Sequence, residues 1–184
     1  MFFTKSRLKQ NTHTYDSVAK NCLNESVDKY DIFLSHSYED KEYIAELKSI
    51  LECYGFTVYV DWITDADILN RNIISKDTAE QIRTRIKQSE CMIFATSLHS
   101  PNSKWMPWEL GYFDGLKNSK IAILPITDYE CQDFKGQEYL SLYPYISEDC
   151  IKGKNEKTLW VNETKNKYVT FEKWLRKNKK PCDQ

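Results

Sequence analysis

Two tryptophans and a glutamate are spaced so that an α-helix would place them on one surface. Trp105, Trp108 and Glu109 stand at positions i, i+3 and i+4, and residues three or four apart are neighbours on a helix. Pro107 has no N–H group and is therefore expected in the first turn of this helix, where backbone donors have no intrahelical partner. The result would be a flat apolar surface beside one carboxylate. Such a surface suits a cationic heteroaromatic ring, or a sugar carbon that becomes cationic during reaction.

A structural explanation of the same residues stays open at this point. Carboxylates are favoured in the first turn of a helix because they oppose the helix dipole. Tryptophan at helical spacing commonly belongs to a core. The surrounding elements must therefore decide whether Glu109 is a reactive group or a helix-stabilising one.

Strands and helices alternate along the chain. Sequence patterns predict strands at residues 30–35, 56–60, 91–96, 121–126 and 158–161, and helices around residues 44–51, 79–86, 105–118 and 171–175. This alternation through short connections predicts a parallel sheet covered on both faces. Residues 1–28 are polar and weakly periodic, which predicts an N-terminal arm or short helix outside the core and a domain over residues 29–184.

The polar residues that follow the predicted strands would meet at one end of this sheet, where parallel α/β folds bind their ligands. They are Ser35, His36 and Ser37 after the first strand, Asp61 and Trp62 after the second, and Ser97 after the third. His36 is a candidate general base or hydrogen-bonding residue, Asp61 would orient its loop or contact substrate, and Trp62 would serve as lid or core. Ser37 and Asp40 have the spacing of a helix capping box, with Asp in place of Glu.

Length, composition and charge narrow the class of protein. The chain has 184 residues, of which 41% are hydrophobic and 29% charged, with a net charge of -1. These values fit one globular domain, and they give no global field that would favour nucleic acid or an anionic membrane. No apolar run approaches the length of a membrane span and no secretory signal is recognisable. We therefore expect a cytoplasmic protein.

The cysteine and glycine patterns predict neither a metal site nor a bound cofactor. The six cysteines are dispersed without a Cys-x-x-Cys pair, so a zinc site or a disulfide framework is not expected. Cys53 and Cys91 fall in apolar periodic segments and are predicted to be small buried hydrophobic residues. A glycine-rich phosphate-binding loop is absent from the sequence.

Four motifs in this order resemble a TIR (Toll/interleukin-1 receptor) domain of the bacterial kind. Residues 30–37 (YDIFLSHS) resemble the first box, residues 55–61 (GFTVYVD) the second strand and the start of the BB loop, and residues 85–97 the second helix and third strand. Trp105-x-x-x-Glu109 matches the spacing around the catalytic glutamate of TIR enzymes that cleave NAD⁺. The resemblance is closest over residues 30–126. Residues 61–76 depart from the family because they contain no glycine, where the BB loop often has one.

The resemblance implies a flavodoxin-like α/β fold with a central parallel sheet of about five strands and helices on both faces. It also implies an enzyme that breaks the nicotinamide–ribose bond of NAD⁺, giving ADP-ribose or a cyclic ADP-ribose signal, as bacterial members do in anti-phage defence. Glu109 would be the catalytic carboxylate and NAD⁺ a substrate, without a retained cofactor. The substrate-binding set comprises His36, Ser37, Trp62, Ser97, Trp105 and Trp108. Self-association through the BB-loop region and a separate effector that responds to the product are the expected partners.

The chemistry of NAD⁺ cleavage requires few protein groups. Nicotinamide in NAD⁺ is already a cationic leaving group, so no general acid is needed. The ribose carbon becomes oxocarbenium-like, as in glycoside hydrolysis, and an ionised carboxylate can stabilise it by several kcal/mol in a water-poor site. Stacking on Trp105 or Trp108 would hold the nicotinamide cation, a contact worth roughly 0.5–2 kcal/mol.

Two other functions stay open from the sequence. The chain could be a non-enzymatic TIR adaptor that acts by TIR–TIR assembly, although an adaptor needs no carboxylate at position 109. It could also be an N-glycosidase similar to nucleoside deoxyribosyltransferases, which would act on free nucleosides instead of NAD⁺.

Overall fold

The computed structural model describes residues 1–9, 29–65, 75–117, 120–129 and 137–183. Its strands are β1 (Phe3–Thr4), β2 (Tyr30–Ser35), β3 (Val58–Tyr59), β4 (Ser89–Thr96), β5 (Ile121–Thr127), β6 (Tyr145–Cys150), β7 (Lys157–Thr164), β8 (Lys167–Thr170) and β9 (Cys182–Asp183). Its α-helices are α1 (Lys5–Lys9), α2 (Lys41–Cys53), α3 (Asp61–Thr64), α4 (Lys76–Gln88), α5 (Trp105–Lys117) and α6 (Phe171–Lys177). Short 3-10 helices occur at Tyr38–Asp40, Ser100–Asn102 and Glu138–Leu142. Each strand and helix that the sequence pattern predicted is present.

The described strands form one mixed sheet in the order β3-β2-β4-β5-β6-β7-β8-β9, and β1 also pairs with β5. Neighbouring strands are parallel from β3 to β6 and antiparallel from β6 to β9. The order of the five parallel strands, β3-β2-β4-β5-β6, is that of a flavodoxin-like sheet, which confirms the predicted fold. The antiparallel extension was not predicted: residues 158–161 are expected as the last strand of the parallel sheet, but they belong to β7, which pairs antiparallel with β6. The fifth parallel strand is β6, which the sequence pattern does not locate because it is partly exposed and polar.

A separate layer of helices packs on each face of the sheet. Side chains alternate between the faces along β2, so Ile32 and Leu34 join a core cluster with α1, α2 and α6. Phe33 points to the other side and joins a cluster with α4 and α5. We call these two sides the α2 face and the α5 face. Because the side-chain period of a strand is two residues, Ser35 belongs to the α5 face.

The N-terminal residues are part of the core, so the prediction that they lie outside it is wrong for residues 3–8. Phe3 in β1 pairs with Ile126 of β5, and both Phe3 and Leu8 are fully buried. The Arg7 guanidinium makes two hydrogen bonds of 2.8 Å to the Glu148 carboxylate. A two-residue strand and a single turn of helix show no periodicity, and only these long-range contacts bury them. Residues 10–28 lie outside the described residues.

Two local predictions about the α2 region need correction. Ser37 makes no side-chain capping bond. The Asp40 carboxylate, which in a capping box would accept the Ser37 N–H, accepts from Ser97 and His99. Cys53 is exposed, because it lies at the end of α2, about 200° around the helix from the buried Leu51. The prediction for the other cysteine is confirmed: Cys91 is buried, and burial raises the pKa of its thiol.

The end of α2 follows from the sequence. Gly55 comes directly after the C-cap residue Tyr54 and has φ +86°, the left-handed conformation that glycine adopts at this position with little strain. Within the described ranges, no helix is long and apolar enough to cross a membrane.

Candidate active site

The candidate site lies at the carboxyl ends of β2 and β4, where the strand order reverses. These neighbouring strands run parallel, with Ser35 opposite Phe94. The chain leaves β2 toward α2 on one face and leaves β4 toward α5 on the other. Divergence of this kind opens a crevice above the sheet, and α/β proteins bind ligands in such crevices.

Glu109 is held at the α5 side of this crevice. Helix α5 begins at Trp105, so Pro107 falls in its first turn as predicted. The Ser103 hydroxyl accepts the Met106 N–H at 3.3 Å and satisfies one donor of that turn. Glu109 lies one turn into the helix with 0% of its surface exposed. Its carboxylate accepts a hydrogen bond of 2.6 Å from the Ser35 hydroxyl.

Ser35 is absent from the predicted set of site residues, although the sequence contains a signal for it. It is the last residue of β2 and alternates in phase with Phe33, which packs on the α5 face. A polar side chain that ends an apolar strand and points to one face will meet the helix on that face. Strand phase therefore selects Ser35, and not His36, as the neighbour of Glu109.

The two tryptophans of α5 have different surroundings. Trp105 is only 9% exposed and belongs to the core cluster of the α5 face. Trp108 is half-buried, meets Trp105 edge to face at 5.5 Å and stacks on Tyr112 at 5.7 Å. The Arg83 guanidinium lies 5.3 Å above the Trp108 ring, a cation–π arrangement. Trp105 thus packs inward, while Trp108 connects α5 to α4.

His36 and Trp62 both lie near the start of α3. The His36 ring is fully buried, and its Nδ1 donates to the Leu34 carbonyl at 2.9 Å. Its Nε2 is 3.5 Å from the carboxylate of Asp61, the first residue of α3. The partly buried ring of Trp62 packs against the core cluster of the α2 face. These contacts join the loop after β2 to the loop after β3, and the predicted role of both side chains in substrate binding stays a prediction.

Ser37 and Ser97 lie in a hydrogen-bonded group on the α2 side of the crevice. The Ser37 carbonyl accepts the Asp40 N–H at 3.0 Å. Ser97 donates its hydroxyl to the buried Asp40 carboxylate and accepts the His99 N–H at 2.9 Å. His99 Nδ1 lies 2.7 Å from the other carboxylate oxygen of Asp40. The sequence pattern did not single out His99.

The start of the BB-loop region is anchored by an ion pair. Asp65 directly follows α3 and receives hydrogen bonds of 2.7 and 2.9 Å from the Arg85 guanidinium and one of 2.8 Å from the Tyr59 hydroxyl. Burial raises the pKa of the Asp65 carboxyl, but the bonds from Arg85 and Tyr59 outweigh this and lower it below its usual value. Residues 66–74, which include Asp67 and Arg71, lie outside the described residues.

A cavity of about 580 Å³ lies at the opposite end of the sheet, near the starts of β4 and β5. Its lysines have structural partners: Lys117 donates to the Lys87 carbonyl at 3.1 Å, and Lys120 donates to the Leu175 carbonyl at 2.8 Å. Lysines at such positions satisfy the last carbonyls of α4 and α6. No group of three or more His, Cys, Asp or Glu side chains suited to a metal ion occurs in the described part of the chain.

The strand order and the buried carboxylate at the strand reversal define a doubly wound α/β protein with a crevice site. Residues 32–153 match the model of the TIR domain family. The chain belongs to the TIR domain family, as the sequence motifs indicated.

Two curated relatives are similar in sequence. "Probable 3' cyclic ADP-D-ribose synthase ThsB'" of Bacillus cereus (strain MSX-D12) is 43% identical over 181 residues, which cover 95% of this chain and 93% of that protein. "Putative cyclic ADP-D-ribose synthase TIR2" of Cytobacillus dafuensis is 34% identical over 105 residues, 57% of this chain and 27% of that protein.

The fold is also similar to that of solved structures. The TIR domain of the Toll-related receptor TRR-2 from Hydra magnipapillata matches with a TM-score of 0.46 and 19% identity, covering 64% of this chain and 82% of that chain. A similarity at this level does not bear on the function.

Proposed function

We propose that this chain is an NAD⁺-cleaving TIR enzyme that breaks the bond between nicotinamide and ribose. The observation that carries the proposal is the buried Glu109 carboxylate, which receives the Ser35 hydroxyl at 2.6 Å at the strand reversal. The full-length similarity to a named cyclic ADP-D-ribose synthase supports the same activity. An adaptor that acts only by assembly would not require a carboxylate at this place.

The proposed reaction uses Glu109 as an electrostatic group. The electron pair of the C–N bond leaves with nicotinamide, which becomes neutral, and the ribose carbon becomes cationic. A carboxylate in a water-poor site stabilises this carbon, because charge interactions are stronger where the dielectric is low. The hydrogen bond from Ser35 restricts the orientation of the carboxylate and so reduces the reorganisation needed during reaction.

Substrate binding requires the carboxylate to be uncovered. Glu109 is 0% exposed, whereas a group that stabilises the ribose carbon must contact it. Opening and closing of loops over a site is a common step in catalysis. We therefore propose that the active enzyme differs from the described arrangement in the groups that cover Glu109.

The finer features of this function are proposals of the same kind. We propose that the product is ADP-ribose or a cyclic ADP-ribose, in line with the names of both relatives. We also propose that NAD⁺ is a substrate without a retained cofactor and that a separate effector responds to the product in anti-phage defence. Cytoplasmic location belongs to the same proposal.

The test is product analysis of purified protein incubated with NAD⁺ and, separately, with free nucleosides. Wild-type protein is expected to release nicotinamide from NAD⁺, whereas Glu109→Gln, which keeps the shape and removes the charge, should lose this activity. Glu172→Gln, at an exposed position of α6, is the matched control and should keep it. Thermal melts of all three proteins establish that the fold is retained.

Three outcomes would contradict the proposal. Near wild-type turnover by folded Glu109→Gln would remove Glu109 from catalysis. Cleavage of free nucleosides without cleavage of NAD⁺ would favour the deoxyribosyltransferase-like alternative. Assembly without cleavage of either substrate would favour the adaptor.

A further inference from the structure

We propose that His99 is the general base that accepts the proton of the hydroxyl group that captures the ribose carbon, and that Asp40 is its positioning residue. The proposal rests on the NAD⁺-cleaving function above and concerns the second half of that reaction. It is carried by the hydrogen bonds of His99 and by its place in the loop after β4, at the end of the sheet where Glu109 lies.

The contacts of His99 fix both the orientation and the tautomer of its ring. Asp40 is 1% exposed and receives Nδ1–H of His99 at 2.7 Å. In a neutral imidazole, a proton on Nδ1 leaves Nε2 as the acceptor. The backbone is fixed as well, since the His99 N–H bonds to the Ser97 hydroxyl at 2.9 Å, and Ser97 in turn bonds to Asp40.

The Nε2 side of the ring is accessible. The His99 side chain is 40% exposed, whereas the carboxylate that orients it is buried. Among the described residues, no hydrogen bond to His99 Nε2 is formed. An exposed histidine that is oriented by a buried carboxylate through its other nitrogen has the geometry of a general base.

His99 lies at the same end of the sheet as Glu109. Asp40 follows β2 and leads into α2, whereas His99 follows β4 and Glu109 belongs to α5. The bond between His99 and Asp40 therefore joins the loops that leave β2 and β4. In inverting glycosidases, a base and an acid about 6.5–9.5 Å apart leave room for the attacking water. In the proposed reaction, His99 and Glu109 would likewise leave room for the ribose carbon and its incoming oxygen.

The proposed step is balanced in atoms and charge. After nicotinamide has left, an oxygen lone pair of water or of a ribose hydroxyl forms a bond to the cationic carbon. The O–H bond of that nucleophile breaks, and its proton moves to His99 Nε2. The imidazolium that results is stabilised by the Asp40 carboxylate and later releases the proton to solvent. Capture by water gives ADP-ribose, and capture by a hydroxyl of the same nucleotide gives a cyclic product.

The test separates cleavage of the bond from capture of the carbon. When capture is slow, labelled nicotinamide added to the reaction should recombine with the cationic ribose and enter NAD⁺. The ratio of this exchange to net ADP-ribosyl product formation therefore reports on the base. We expect His99→Ala to retain exchange and to lose product formation by about 10²–10⁴-fold, the usual contribution of a general base.

Further variants guard against a purely structural explanation. Added imidazole should restore product formation in His99→Ala in proportion to its concentration, because it replaces the missing base. His99→Gln retains a hydrogen-bonding side chain and leaves no cavity. It should raise the ratio of exchange to product formation as His99→Ala does, which would show that loss of the base and not the cavity is the cause. Leu98→Ala, at a neighbouring residue that is exposed, should behave as wild type.

The outcomes distinguish this proposal from the proposed function. Loss of both exchange and product formation is expected for Glu109→Gln, since the bond is then not broken. A wild-type protein that performs neither reaction overturns the proposed function and the role of His99 together. Wild-type activity combined with an unchanged ratio of exchange to product formation in both His99 variants overturns the role of His99 alone.

Discussion

At the scale of single residues, neighbouring aromatic side chains on α5 have different tasks. Trp105 is 9% exposed and packs in the core of the α5 face, whereas half-buried Trp108 stacks with Tyr112 beneath Arg83. We expect Trp105 to lie nearer to the substrate and Trp108 to be partly structural. Trp105 stands four residues before Glu109 in the helix, and this spacing keeps it within reach of the same crevice.

Alanine replacements separate these tasks. Trp105→Ala is expected to lower the free energy of unfolding by about 3–5 kcal/mol, because it removes a large buried side chain, and also to lower kcat/KM. Trp108→Ala should cost less stability, since its ring is partly exposed, and should affect kcat/KM less. Chemical denaturation and steady-state kinetics measure both effects. If both variants unfold at assay temperature, the stacking role loses its support and both rings belong to the core.

At the scale of elements, the Glu148 carboxylate of β6 binds the N-terminal segment. Glu148 is buried and accepts two bonds from Arg7 and one of 3.0 Å from the Tyr54 hydroxyl. Burial raises the pKa of the Glu148 carboxyl, but the hydrogen bonds and the charge of Arg7 outweigh this and hold its pKa below the usual value. The ionised form is therefore favoured in the folded protein.

This shift predicts how stability depends on pH. A carboxyl with a lowered pKa in the folded state stabilises the fold above its unfolded pKa, about 4.3 for Glu. That contribution is lost as pH falls through the folded pKa. Glu148→Gln should therefore be less stable than wild type at pH 7, by about 1.5–3 kcal/mol for a hydrogen bond to a charged group. The difference should shrink as pH is lowered below about 4.3.

Urea denaturation of both proteins at neutral and acidic pH measures this difference. Glu163→Gln is the matched control, because Glu163 pairs with Lys167 at an exposed position of β7, and exposed pairs contribute little. A difference between wild type and Glu148→Gln that stays constant with pH would mean that the carboxylate charge does not stabilise the N-terminal segment.

At the scale of the whole molecule, the site is enclosed and its loop region begins at a rigid anchor. Glu109 is fully buried, and Asp65 is fixed by Arg85 and Tyr59 immediately before residue 66. Segments that move over a site are drawn from the less stable parts of a fold. Packing of residues 61–76 against another copy of the chain could therefore change access to the carboxylate.

We expect activity to depend on self-association through residues 61–76. Specific activity should rise with protein concentration from the nanomolar to the micromolar range, because assembly would complete the site. Charge reversal at Asp67 or Arg71, which lie outside the described residues, should weaken assembly and turnover together. Light scattering under turnover conditions measures the assembly. A specific activity that stays constant while the protein remains monomeric would mean that one chain contains a complete site.

Much of the framework was predictable because it depends on local pattern. Apolar runs and helical spacing located the parallel strands β2 to β5 and the main helices, and Pro107 located the first turn of α5. The rule that ligands bind at the carboxyl ends of parallel strands directed attention to the loops that follow β2, β3 and β4. Glu109 could be selected from the sequence because its helix and its aromatic neighbours are close along the chain.

What the sequence could not decide depends on contacts between residues that are distant along the chain. Ser35 and Glu109 are 74 positions apart, Asp40 and His99 are 59 apart, and Arg7 and Glu148 are 141 apart. Periodicity within a segment reports which side chains are buried, but not which partner a polar group finds. The sequence alone therefore determined the helices α2, α4, α5 and α6, the parallel strands β2 to β5 and the choice of Glu109 as the candidate carboxylate. Only the packing of the two helical layers on the sheet decided that Ser35 binds Glu109 and that Asp40 orients His99.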